Sequence, residues 1–124
     1  MPPASYSGAD YSWDKLFGGP ASSLVKHPNV TILSGQVLLR GAVLGKITAS
    51  SKYILSLSAA VDGSEVPDLI LAEDCDATAG DKVGVAYEAG VFNSDAIILG
   101  TAHTIASVRA GLRDRGIHLV DAQG

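Results

Sequence analysis

SGQVLLRGAVLGKIT, residues 34–48, is the stretch on which the reading of the fold turns. It is apolar enough for a buried strand, yet Gly35, Gly41 and Gly45 interrupt it. Read as one extended segment, Val37, Leu39, Gly41, Val43, Gly45 and Ile47 fall on one face. Leu38, Arg40, Ala42, Leu44 and Lys46 fall on the other. The first face is apolar but has no side chain at 41 and 45. Glycine inside a strand marks a bulge, a bend or a close backbone approach, whereas a flat sheet favours β-branched residues there. The stretch therefore predicts one long strand, or two short ones, bent around a small barrel. Gly41 and Gly45 are candidates either for that bend or for a subunit interface at which two backbones come close, and the sequence favours neither.

Downstream the β pattern continues. Residues 53–60 read as a strand, Asp62-Gly63 as a turn, and Leu69–Ala72 as a short strand buried on both faces. Residues 74–81 are small and polar, hence a loop. Val83–Ala89 alternates, Gly90 breaks it, 91–93 resumes, and 97–99 ends the β region. Then the period changes. Ala102, Ile105, Ala106, Val108 and Leu112 make an apolar stripe at helical spacing, with Arg109, Arg113 and Asp114 facing away. Thr101 or Thr104 can cap the start, and Gly116 can end it. Ile117–Val120 reads as a last strand. The expected fold is mainly β (α+β): a small glycine-bent β-barrel or sandwich with one C-terminal helix and a flexible N-terminal arm. Upstream, Val30 and Ile32 open the β body.

The expected organisation is an arm over residues 1–28 and a β-rich domain over 29–124. The arm is rich in Pro, Ser, Gly and Ala with no sustained period, a composition that does not fold alone. Yet it holds Tyr6, Tyr11, Trp13 and Phe17, four of the seven aromatics in the chain. Such a segment suits folding on a partner: its aromatic burial roughly offsets the entropy of ordering it, so one arm binds weakly and several on one particle gain avidity. One mode open to it is adding a strand to an exposed sheet edge of a partner. The other reading folds Trp13 and Phe17 back onto their own barrel, because a chain with 6% aromatics has few others for its core.

Composition narrows the function classes. With 124 residues the chain fits one domain and can hold a core without metals or disulfides. A single cysteine, Cys75, excludes an intramolecular disulfide. The net charge of −4, with Lys and Arg scattered, argues against a nucleic-acid binder. No apolar run approaches a membrane span, and no basic segment followed by an apolar one suggests a signal peptide.

Chemistry-bearing motifs are weak. His27 and His103 have no second metal ligand two to four residues on, and His118 has only Asp121, so all three read as surface or rim histidines. DCDATAGD, residues 74–81, has the alternation of a calcium loop in Asp74, Asp76 and Thr78. However, it places Ala79 where glycine is needed and Val85 where a bidentate glutamate is needed. Asp74 and Asp76 beside Cys75 raise its pKa, the wrong direction for a nucleophile. Glu73-Asp74 and Glu65-Asp68 have nothing converging on them. No nucleophile elbow, phosphate loop or dinucleotide fingerprint occurs. The chain reads as a non-enzyme without cofactors, with His103 or His118 the only footholds for an unusual catalytic site.

With these residues in hand, three segments in order and spacing resemble the lambda-type bacteriophage head decoration proteins: SGQVLLRGAVLGKIT, DGSEVPDLILAEDCDAT (62–78) and GDKVGVAYEAGVFNSDAI (80–97). The resemblance covers about residues 30–100. It implies a trimeric structural protein on the outside of the expanded virion capsid, made in the host cytoplasm. There it would sit at three-fold and quasi-three-fold positions, clamp neighbouring major capsid subunits and resist the pressure of packaged DNA. It also implies that the N-terminal segment, mobile in the free protein, becomes ordered on the shell; from the arm's own aromatic content, Tyr6, Tyr11, Trp13 and Phe17 are the candidates for capsid contact. The helical stretch at 101–115 is longer than in the shortest members. An alternative of a different class is a small non-catalytic β-barrel module that binds a ligand or peptide.

Overall fold

The computed structural model describes Leu16, Phe17 and residues 24–120. It is mainly β with one helix. In chain order the elements are β1 Val25–Ile32, β2 Val37–Leu38, β3 Val43–Lys46, β4 Tyr53–Leu55, β5 Pro67–Leu71, β6 Cys75–Asp76, β7 Lys82–Asn93, α1 Ile105–Asp114 and β8 Ile117–Val120.

Five strands close on themselves in the order β1-β4-β3-β5-β7, and β7 pairs back onto β1. Every contact in this ring is antiparallel except β1 with β4, which is parallel through Ile32 and Tyr53. The length of β7 lets it serve two partnerships. Its first part, Lys82–Ala89, pairs with β1; past this part, Gly90–Asn93 pairs in parallel with β8. The short ribbon β2–β6 lies outside the ring, with Leu38 opposite Cys75.

Two apolar clusters follow from this geometry. One contains Val30, Ile32, Leu38, Leu44, Leu69, Leu71 and Ala86; the other joins Val43, Ile70, Tyr87 and Phe92 to Val108 and Leu112 of the helix and Ile117 of β8. Strand β5 divides them: Leu69 and Leu71 belong to the first, Ile70 and Ala72 to the second. That is the physical content of a strand buried on both faces, as the unbroken run 69–72 predicts.

The opening stretch is two short strands, not one, and the face pattern drawn from a single strand does not survive. Val37 and Leu39 are exposed while Leu38 is buried. Ala42, Val43 and Leu44 are then buried in succession, because β3 stands between the two clusters. The chain turns at Gly41, whose φ of +97° suits only glycine. A side chain there would also come within 2.9 Å of the Ala96 carbonyl oxygen. Gly45 answers to a different need. A methyl group on it would overlap the Ser64 carbonyl oxygen and lie 2.6 Å from the Ser64 carbonyl carbon. Both close approaches are within one chain.

Other expectations need correction. The boundary at 28/29 cuts β1, which starts at Val25 and carries register shifts between Val25 and Lys26 and between His27 and Val30. Pro28 falls within the second shift, a place where its missing N–H is tolerated. The strand expected over 53–60 stops at Leu55, because Ser56 turns into the core and donates to the Ser64 carbonyl oxygen at 2.7 Å. Residues 97–99 supply only a single bridge, Ile98 to Ala42. Helix α1 is capped by Thr104, whose hydroxyl accepts from Ser107 N–H while the Ser107 hydroxyl accepts from Thr104 N–H. Ala102 lies outside the helix at a φ of +69°. The buried stripe therefore narrows to Val108 and Leu112 with Ile105 beside them, and Arg109 is half-buried instead of facing away.

Candidate functional site

The N-terminal segment meets the body at Leu16 and Phe17. Leu16 is buried, and its carbonyl oxygen accepts from Asn93 N–H at 2.7 Å. Phe17 forms an antiparallel bridge with Phe92 of β7. Its ring meets Tyr87 edge-on with centroids 5.5 Å apart and Phe92 at 6.0 Å, while Tyr87 and Phe92 lie 5.5 Å from each other. These are spacings at which aromatic quadrupoles attract. Above the Phe17 ring sits Arg40, its guanidinium carbon 5.3 Å from the centroid. The segment is thus seated beside the end of β7, next to the turn at Gly41. Exposed Leu39 lies two residues before that glycine, and exposed Ile98 donates its N–H to the Gly41 carbonyl oxygen.

Of the four aromatics singled out in the arm, Phe17 therefore packs on the body's own aromatic cluster. Tyr6, Tyr11 and Trp13 lie outside the described residues. Sequence reasoning missed Arg40 and Leu16. The available signal was that Arg40 is the one charge between Ser34 and Gly45.

A second candidate is an open cleft of about 590 Å³ to which every ring strand contributes. Its polar lining is His27 of β1, Lys46 of β3, Tyr53 of β4, Asp68 of β5 and Glu88 of β7, with Arg115 from the end of the helix. Asp68 is already engaged: one oxygen takes Arg115 at 2.6 Å and the other accepts from the Tyr53 hydroxyl at 3.1 Å. Burial, then the Asp68 charge and hydrogen bond, push the Tyr53 phenol up to about 12. It stays neutral and donating through the ordinary pH range. The arrangement ties β4, β5 and the helix end together.

The histidines separate. His27 lines the cleft and His118 is exposed on β8. His103 Nε2 lies 3.1 Å from both the Ser56 hydroxyl and the Glu65 carbonyl oxygen. A carbonyl only accepts, so Nε2 carries the proton. The single Ser56 proton points to the Ser64 carbonyl. A serine nucleophile needs the opposite arrangement, with its proton on an unprotonated ring nitrogen. His103 instead joins the 57–66 loop to the helix start, where Nδ1 lies 3.1 Å from the Ser107 hydroxyl.

Cys75 is buried in the ring cluster. Burial comes first in pushing its thiol up, with Asp76 and Glu73 adding and Lys82 opposing. The flanking carboxylates are thus the lesser cause. Among the described residues no group of three or more His, Cys, Asp or Glu is placed to hold a metal ion, and no helix is long and apolar enough to cross a membrane.

The body that seats Leu16 and Phe17 coincides with a known family. The family model for the bacteriophage lambda head decoration protein D matches residues 16–118. The chain belongs to that family. The match opens at Leu16, the residue that bonds to the end of β7, and takes in the ring, the helix and the start of β8. No curated protein matches the chain. Membership of the head decoration family assigns the protein a structural role in decorating a phage capsid, as a component of the virion.

Proposed function

We propose that the protein binds the outer surface of the expanded phage head as a homotrimer, at three-fold and quasi-three-fold sites, and holds neighbouring major capsid subunits together against the pressure of packaged DNA. The N-terminal arm is the gripping part, with Tyr6, Tyr11 and Trp13 supplying the apolar contact. The closed β body is the rigid platform from which it departs. The observation that carries this reading is the family match across residues 16–118.

Burial of Leu16 and the stacking of Phe17 divide the arm physically. Residues 16 and 17 pack on the platform, and the grip is proposed for residues 1–15. The informative truncation therefore stops at residue 15. Full-length protein should co-sediment with expanded shells and not with immature ones. The form lacking residues 1–15 should keep its circular dichroism spectrum and fail to co-sediment. Light scattering should return about three times the 12.7 kDa chain mass. Tight attachment of the truncated form would reject the arm's role, and a monomer that ignores shells would reject the whole reading.

A further inference from the structure

Arg40 bonds to the body through its backbone N–H and its Nε, and its guanidinium reaches the arm. Its backbone N–H donates to Asp74 Oδ1 at 2.7 Å, and its Nε donates to the Ala72 carbonyl oxygen at 3.1 Å. The first bond holds the backbone of Arg40 and the second holds its side chain just past the end of β5. The guanidinium face then lies over Phe17, at 5.3 Å. Phe17 is held between this cation and the rings of Tyr87 and Phe92. A planar cation over an aromatic face is attracted by the ring's quadrupole. Arginine already tied by one hydrogen bond surrenders little further entropy in making that contact.

We propose that Arg40 is the positioning residue for the N-terminal arm: by clamping Phe17 it makes residues 1–15 depart from one fixed point beside the end of β7. This rests on the reading of the arm as the capsid-gripping segment. If the clamp opens, the arm's nearest anchor on the body is no longer Leu16 and Phe17 but Leu24, which packs against the same apolar cluster, and the tether lengthens. Effective concentration at a second site falls as a flexible tether lengthens beyond its span, and each residue released must be ordered again on binding.

Asn93 N–H reports the clamp directly, because its acceptor is the Leu16 carbonyl oxygen. Leu71 N–H, which donates to the Ala42 carbonyl oxygen at 2.9 Å where β5 pairs with the start of β3, is the control. Amide hydrogen exchange would be measured by NMR for Arg40→Met, which keeps length without charge, and for Arg40→Lys, which keeps charge without the planar fork. In Arg40→Met, Asn93 should exchange about 5- to 30-fold faster, the range expected for losing a partly desolvated cation–π contact. Arg40→Lys should fall between that variant and the wild type, with Leu71 unchanged in both. Attachment to expanded shells should weaken by a factor of the same order. Unchanged Asn93 exchange in Arg40→Met overturns the clamp. Equal acceleration at Leu71 overturns positioning in favour of general stability. Faster Asn93 exchange with undiminished attachment overturns the link to binding. If the form lacking residues 1–15 still attaches, the arm reading itself fails, and that result does not depend on Arg40.

Discussion

Replacing Gly45 by alanine adds one methyl group, and the structure says where it goes. The new carbon would overlap the Ser64 carbonyl oxygen and sit 2.6 Å from the carbonyl carbon and 2.8 Å from Cα of the same residue. All three are backbone atoms, so no rotamer change relieves the clash. Restoring ordinary carbon–carbon contact requires Ser64 to retreat by roughly 1 Å. Overpacking of this kind costs about 1–3 kcal/mol. The retreat also strains the bond from Ser56 Oγ to the Ser64 carbonyl, 2.7 Å long between two fully buried serines. Leaving that pair unsatisfied costs about 1–3 kcal/mol more. The expected loss is about 2–6 kcal/mol, a large part of the roughly 5–15 kcal/mol typical of a native domain. Gly111 provides the control. It lies in α1, and a methyl group added there would meet no atom within 4 Å. Gly111→Ala should therefore stabilise by about 0.5–1 kcal/mol through helix propensity. Urea unfolding followed by circular dichroism, at one protein concentration for all variants so that any self-association would act equally on each, compares the two. Opposite signs are expected. Gly45→Ala within about 1 kcal/mol of wild type, or both variants moving the same way, would refute the close approach of β3 to the 57–66 loop.

Phe17→Ala should destabilise by about 2–4 kcal/mol, somewhat less than the roughly 3–5 kcal/mol for a core aromatic because the ring is only partly buried; removal of residues 1–15 should cost under about 1 kcal/mol in the same urea assay. A loss for the truncation as large as that for Phe17→Ala would contradict the division at Leu16. Thr104→Ala removes the cap of α1 and should cost about 1 kcal/mol, while Thr104→Ser should restore most of it; equal stability of all three forms would deny the cap. For Tyr53, a folded pKa raised to about 12 means that the unfolded chain releases the phenolic proton first. Its contribution is therefore complete below about pH 10 and is lost as pH rises towards 12. Wild type minus Tyr53→Phe, each measured across pH 9–12, should isolate that decline, and identical pH profiles would show that Asp68 does not hold the phenol.

Where one face of an element meets the core and the other meets water, the sequence was readable. Helix α1 has that form: Val108 and Leu112 are buried, Arg113 and Asp114 exposed, and the Thr104–Ser107 pair marks the start. Strand β5 was readable for the opposite reason, an apolar run with no polar interruption. Residues 37–47 fell between the two. The turn at Gly41 resets the register, so Val37 and Leu39 do not share a face with Val43 in the way that counting by twos requires. Of strand β1 only the end, Val30 and Ile32, was legible; its first residues were not, because the pairing with β7 is long-range and twice shifted, and Pro28 sits in the middle of it. Nor does any local pattern show that Arg40 covers a ring 23 positions earlier in the chain. Only its isolation in an apolar stretch hinted that it has a specific partner.

The placement of Phe17 alters the energetics of the proposed attachment. A segment that brought four aromatics to a partner would bury about 150–250 Å² with each. One of the four is already engaged with Tyr87 and Phe92, which withdraws roughly 4–6 kcal/mol of gross apolar gain at 25 cal/mol per Å². Against that, only residues 16 and 17 leave the set to be ordered on binding, which removes about 2–4 kcal/mol of backbone entropy cost. The exchange slightly weakens any single arm. What the proposed clamp would secure is a defined origin: an arm that starts from a clamped residue reaches its site at a higher effective concentration than one on a longer tether. A weak grip from a fixed point suits a protein that works in several copies on one particle, because each arm is then individually reversible and the set is not. The same argument requires that loosening Arg40 harm attachment while leaving the ring intact, since the residue contributes to the grip only through where the arm begins.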